Sequence, residues 1–192
     1  MGLELEKQGR EKFSGNTFLA YLQGLDALGL RSVVRAMVPP RVQRMMDHPP
    51  APTAWLDTDE LPLIFNAVMK LQGLEGMRKL GYAATQGTTA RFLQPLIQLT
   101  LSKQGRHPSV LLSQLSSIFR PFFQGIDFHY KQEGPRSGVL QIRSVTPMGA
   151  ASWAAWEGTL RILYDECGVS TGVVGHSQIS EQGRLATLKV RW

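Results

Sequence analysis

Cysteine is almost missing from this chain: Cys167 is the only one. That excludes an internal disulfide and makes a reducing cytoplasm the expected compartment. Charge is also sparse, at 19% Asp, Glu, Lys and Arg, and no apolar run approaches the roughly 20 residues that span a bilayer. The segment Met1 to Lys12 is too polar for a signal peptide. Glu6 stands where N-myristoylation needs serine or threonine. Catalytic furniture is missing as well: there is no nucleophile elbow, P-loop, dinucleotide fingerprint or HExxH helix. Gly73-Leu74-Glu75-Gly76 is too short to stand in for any of them. The four histidines, His48, His107, His129 and His176, share no metal-ligand spacing. No catalytic residue, no metal and no cofactor is therefore expected, and the chain is read as a non-enzyme.

What is present is an ordinary core-forming composition, 43% hydrophobic over 192 residues, enough for one domain. Residues 1–16, polar with Gly2, Gly9 and Gly15, read as a flexible arm, and 17–192 as a single domain. Phe18, Tyr21, Leu22, Leu25 and Leu28 fall at helical spacing after an Asn16-Thr17 cap. Short helices over about 31–38 and 41–47 end at the Pro39-Pro40 and Pro49-Pro50 pairs. An acidic start at 57–60 opens a helix that buries Leu61, Ile64, Phe65, Val68 and Leu71. Gly73 and Gly76 break it. A longer helix over about 75–103 should turn Met77, Leu80, Ala84, Phe92, Leu96 and Leu99 inward, and Pro95 should kink or split it.

From Pro108 the pattern becomes helix, hairpin, helix, hairpin. Leu111, Leu115, Ile118, Phe119 and Phe122 make one helical stripe. The period then drops to two at Ile126, Phe128 and Tyr130, turns at 134–138 and returns through Leu140 and Ile142. A helix over about 148–166 carries Trp156, Leu160, Leu163 and Cys167 on one face and ends at Gly168. Segments 169–179 and 185–192 form a second hairpin. The predicted fold class is α+β, a helical N-terminal half packed on a small antiparallel sheet in an αββαββ C-terminal half.

Several of these passages carry a resemblance: the Trp55 segment before the acidic helix start, LGYAATQGTTARFLQP, FRPFFQGIDFHY, WEGTLRILYDECG and the closing GRLATLKVRW. From Thr17 to Trp192 the chain resembles a paralogous family of uncharacterised proteins expanded in myxobacteria. That family is similar in turn to vinyl-reductase-type ligand-binding domains, haem-nitric-oxide-binding domains and small subunits of vesicle-tethering transport particles. The resemblance implies a cytoplasmic sensory or regulatory domain that binds a small apolar ligand or a partner protein. It also implies the alternative of a structural adaptor or homodimerising scaffold. The chain lacks both the cysteines of the vinyl-reductase hairpin and the Tyr-x-Ser-x-Arg motif that holds haem propionates, which argues against metal and haem.

Gly81, Ala83, Ala84 and Gly87 are small, and so is the alanine-rich stretch around Trp153. Such surfaces leave room for an apolar ligand, pack two helices tightly, or form a subunit interface. Tyr82, Thr85, Phe92, Phe119, Phe123, Trp153 and Trp156 are the candidate cavity lining. The net charge of +6 and pI near 9.8 raise nucleic acid as a partner, but no aromatic platforms interleave the basic residues. Arg31, Arg35, Arg41 and Arg44 are instead the candidate surface for an acidic protein or lipid headgroup. Cys167, closing an apolar helix face, reads as a buried, inert thiol.

Overall fold

The computed structural model describes residues 11–57 and 59–192, and gives no side-chain description for 88–92. The architecture is α+β, with helices concentrated in the N-terminal half and antiparallel strands in the C-terminal part. In chain order the elements are β1 (Lys12–Ser14), α1 (Gly15–Ala27), α2 (Arg31–Met37), α3 (Pro40–Asp47), β2 (Trp55–Asp57), α4 (Leu61–Gln86) and α5 (Thr88–Gln104). They continue with α6 (Pro108–Ser113), α7 (Leu115–Phe119), β3 (Phe123–Gln124), β4 (Ile126–Gly134), β5 (Ser137–Ser144) and α8 (Ala150–Cys167). The chain closes with β6 (Val173–Val174), β7 (Gln178–Ser180), a 3₁₀ turn and β8 (Leu185–Arg191).

The main sheet runs β4-β5-β8-β6, with β7 also paired to β8. Leu140 pairs with Leu188 and Ile142 with Ala186, so the period-two apolar positions form one buried face. α8 lies against that face and supplies the wall shared by two cores. Its alanines 151, 154 and 155 belong to the core of the N-terminal helices, with Phe18, Leu22, Ile64 and Leu80. Trp153, Trp156, Leu160 and Leu163 belong to the core under the sheet, with Leu111, Leu140 and Val190. Small residues on one face admit α4 closely, and large ones on the other fill the wider gap to the sheet.

Several sequence expectations need correction. The polar arm is not loose over its described part: β1 forms a small sheet in the order β2-β1-β3, and Phe13 is fully buried. Residues 1–10 of the expected arm lie outside the described residues. Helix α1 is capped by Ser14, whose Oγ accepts from the Thr17 N–H at 3.3 Å, so the cap falls two residues before Asn16. α4 passes Gly76 unbroken and departs from helical geometry only at Gly73, φ +64°. The break comes at Gly87, ψ −139°, while Pro95 sits inside α5. Pro95 is on the exposed side, where the carbonyl its missing N–H would have bonded is open to solvation. The break resets the helical phase: Leu93, Ile97 and Leu101 are buried, whereas Leu96 and Leu99 are exposed, as is Leu71. The stripe from Pro108 is divided at Gln114 into α6 and α7. The segment 169–179 makes only the short β6 and β7.

Candidate functional site

The expected opening between the Gly81 helix and Trp153 is closed. α4 and α8 cross backbone to backbone: a Cβ on Gly81 would overlap the Ala155 carbonyl, and one on Gly158 the Arg78 carbonyl, well inside the 3.0 Å that real Cβ contacts respect. The Gly81 carbonyl accepts from the Thr85 hydroxyl at 2.7 Å and from Thr159 at 3.3 Å. A void of only about 20 Å³ remains beside them, bordered by Thr17, Tyr21, Thr85 and Phe119. Of the three readings of the small-residue surfaces, tight helix packing is what this crossing displays.

The candidate lining residues therefore separate. Phe119, Phe123 and Trp156 do meet, joined by Phe128: Trp156 lies 5.3 Å from Phe119, 4.9 Å from Phe123 and 5.3 Å from Phe128 between ring centroids. Trp153 is buried on the same helix, and its indole N–H finds no partner among the described residues. Thr85 is buried in the helix crossing. Tyr82 is elsewhere, at the outer surface: its hydroxyl donates to Asp165 at 2.7 Å, and the Arg161 guanidinium sits 5.7 Å over its ring. The Phe92 side chain is outside the described residues.

A real cleft lies one step away, where the two cores adjoin. It holds about 200 Å³ and is walled by Tyr21, Phe65, Phe123, Met148 and Trp156, with Glu11 at its polar end. Tyr21 and Phe65 meet edge to face at 4.8 Å. Phe123 packs against both cores, so the cleft exists because a strand of the small sheet inserts its aromatic between them. Sequence reasoning found Phe123 and Trp156 but missed Glu11, Tyr21 and Phe65. The available signal was the lone Phe13 in a polar run, followed by the Ser14/Thr17 cap, which together fix the chain at Glu11.

Glu11 is 6% exposed. The Ser144 and Thr146 hydroxyls donate to its Oε2, at 2.8 and 2.5 Å. Burial pushes its carboxyl above the ordinary range, and those two hydroxyls oppose the shift. Burial, foremost, pushes the Tyr21 phenol up as well; Thr159 opposes this and the nearby Glu11 carboxylate adds to it. Gly125, φ +79°, lets the chain pass beside Glu11 at the turn into β4.

The second buried carboxylate has a structural partner. Glu157 accepts from Arg78 Nε at 2.6 Å and from the Ser177 backbone N–H at 2.7 Å, which ties the segment before β7 to the α4–α8 crossing. Burial alone would raise its carboxyl, but the donors at Ser177 and Arg78 outweigh that and hold it below the usual range. His176 Nδ1 is 3.4 Å from Glu157 Oε2, the oxygen that accepts from Arg78, with its side chain 78% exposed.

The arginine surface is largely neutralised from within. Arg31 pairs with Asp26 at 2.7 Å, Arg35 with Asp47 at 2.6 Å and Arg41 with Glu60 at 3.9 Å. Arg44 has no such partner among the described residues. All four histidines are exposed, and no group of three or more His, Cys, Asp or Glu that could hold a metal occurs among the described residues. Cys167 is half-buried, and burial pushes its thiol up to about 11, as expected of an inert side chain.

The architecture is that of H-NOX domains, a class of haem-nitric oxide/oxygen-binding fold. A doubly substituted Tt H-NOX is similar over 93% of this chain and 94% of its own, with TM-score 0.68 and 15% identity. An oxygen-binding H-NOX domain related to soluble guanylate cyclases matches with 0.63 and 13% identity, covering 93% and 94% of the two chains. An unliganded Fe(II) H-NOX mutant from K. algicida gives 0.62 and 11%, covering 93% and 95%. No family model matches the sequence and no curated protein does. The resemblance to haem-nitric-oxide-binding domains is thus a likeness of fold, and the myxobacterial family finds no support.

Haem does not fit the described residues. Haem iron takes histidine, cysteinate or tyrosinate as its protein ligand, with methionine serving only beside a histidine. Here every imidazole is outside the core, and the thiol and the Tyr21 phenol are both driven toward their protonated forms. Phe119, Phe123, Phe128 and Trp156 pack ring to ring beside the cleft, which is left with about 200 Å³. A larger groove of about 650 Å³ beside Trp55 and Arg120 is lined by no histidine, cysteine, tyrosine or methionine.

Proposed function

We propose that this chain is a non-enzymatic, cytoplasmic sensory or regulatory domain whose small ligand occupies the aromatic cleft between the two cores. The observation that carries this reading is the wall of Tyr21, Phe65, Phe123 and Trp156 around about 200 Å³, on a fold whose solved relatives include an oxygen-binding domain. A mostly apolar concavity with a few convergent polar groups is the usual form of a small-molecule site. Phe123 and Trp156 of the expected cavity line it; Tyr82, Thr85, Phe119 and Trp153 do not. Ligand occupancy here would bear on both cores at once, since α8 is their common wall, and that gives a binding event a route to a partner surface.

Native mass spectrometry of the purified protein tests the reading. A co-purifying small molecule lost on Phe65→Ala and Trp156→Ala substitution is the expected result. A ligand-free homodimer whose stability no small molecule raises would favour the adaptor reading.

A further inference from the structure

We propose that a hollow on the outer face of the main sheet, where residues 173–178 run along the edge of β8, binds a small phosphomonoester. The site is separate from the aromatic cleft and does not depend on it. Ala186, Leu188 and Val190 of β8 are buried against the core. Thr187, Lys189 and Arg191 therefore stand in one row on the opposite face, successive members about 7 Å apart. Beside that row, Val173 pairs with Arg191 and Gln178 with Thr187. Between them the Gly175 N–H donates to the Lys189 carbonyl at 2.8 Å, while the Ser177 N–H turns away to Glu157 on α8 at 2.7 Å. A Cβ on Gly175 would fall 2.9 Å from the Lys189 carbonyl, so the strap comes this close only with glycine there. The hollow beside it holds about 380 Å³.

The polar lining is a set of donors. Lys189 and Arg191 supply two cations, and Thr187, Gln178 and His176 add a hydroxyl, an amide and an imidazole. Arg78 donates to His176 Nδ1 at 2.8 Å, which leaves the ring proton of the neutral imidazole on Nε2 as a further donor. Lys131 and Glu133, exposed on β4 two strands away, offset each other in charge and lie outside the lining. Like charges two residues apart on one face of a strand repel, and an anion seated between them removes that cost. A phosphate monoester suits this set better than a carboxylate. It brings close to two negative charges, and its three oxygens can meet the planar fork of arginine and the point charge of lysine together. The space is larger than a bare phosphate, and Val139 and Val173 give it apolar flanks, so the organic body of an ester has a place to lie.

The test titrates the full chain at about pH 7.5 with phenyl phosphate, a dianion there, and with benzenesulfonate, a monoanion of similar shape, by calorimetry and by amide chemical shifts. Wild type should bind the phosphate at least roughly 5-fold more tightly, the scale of one added charge beside two exposed cations. The largest shifts should fall at Gly175, Gln178 and Lys189. Lys189→Gln combined with Arg191→Gln, two exposed positions, should weaken phosphate binding by roughly 10-fold or more. Removing the same charge elsewhere, by Arg44→Gln with Lys103→Gln, should leave it within about 2-fold. No binding of phenyl phosphate, equal affinity for the two probes, shifts centred elsewhere, or equal losses in the two double variants would each overturn the assignment. Attachment to phosphatidate vesicles with phenyl phosphate inert would overturn it too, and make this face a membrane contact. The probe comparison and the shift map use wild type alone, so they decide the matter even where a variant does not fold, and no outcome bears on the aromatic cleft.

Discussion

The crossing of α4 and α8 brings backbone against backbone, and Gly158→Ala probes it directly. The new methyl would collide with the Arg78 carbonyl, a backbone atom that no rotamer change can move aside. The helices would have to part by more than about 1 Å, which loosens the alanine seam at 151, 154 and 155 and stretches the Arg78–Glu157 hydrogen bond of 2.6 Å. Overpacking of this kind costs about 3 kcal/mol at the upper end of its range. Alanine's better helix propensity returns about 1 kcal/mol. The net loss is thus about 2 kcal/mol, or a fall of roughly 4–8 °C in Tm for a chain of this size. Gly149→Ala is the control. Nothing lies within 4 Å of its added Cβ, and the weaker N-cap preference of alanine is balanced by the reduced freedom of the unfolded chain, so it should change stability by less than about 1 kcal/mol. Thermal and urea unfolding followed by circular dichroism read both variants. A Gly158→Ala protein as stable as wild type, or stabilised by helix propensity, would refute the close crossing.

Other tests follow from the same geometry. Trp156→Ala should cost about 3–5 kcal/mol, because it empties the centre of a four-ring cluster, and urea midpoints measure it. Glu157→Ala should cost about 2 kcal/mol by stranding the donors of Arg78 and Ser177. Because the folded carboxyl of Glu157 titrates below its unfolded value, its contribution is full above the ordinary carboxylate range and is lost as pH falls through the depressed value; a pH series of melts on wild type and Glu157→Gln should converge in acid. With its thiol at about 11, Cys167 should be about a thousandth ionised at pH 8, so a thiol reagent should react far more slowly with native than with urea-unfolded protein. Mixing with haemin should give no stoichiometric Soret band; a stable band would mean that the interior does accommodate haem.

Much of the C-terminal half was legible because its signals are local. The two-residue period of β4 and β5 and the left-handed Gly168 at the end of α8, φ +71°, each announce themselves within a few positions. The β2-β1-β3 sheet was not legible: strands of two or three residues show no alternation, and their pairing joins positions 13, 56 and 123, which no window spans. Pro95 misled because its effect depends on which side of α5 meets water, a tertiary fact. The small residues around Gly81 and Gly158 read equally as a cavity or a seam, and only the distance between two helices decides that. Glu11 was hidden for the same reason as the small sheet: its hydroxyl partners are more than a hundred positions away.

β8 lies in the interior of the main sheet, bonded on one side to β5 and on the other to β6 and β7. A polypeptide shortened before Leu185 would therefore keep the β4–β5 hairpin but leave β5 with an unzipped margin of free amides and carbonyls, its oily underside bared. Such a margin recruits strands from other molecules. Loss of this short stretch should yield sticky, self-associating material rather than a smaller working fold.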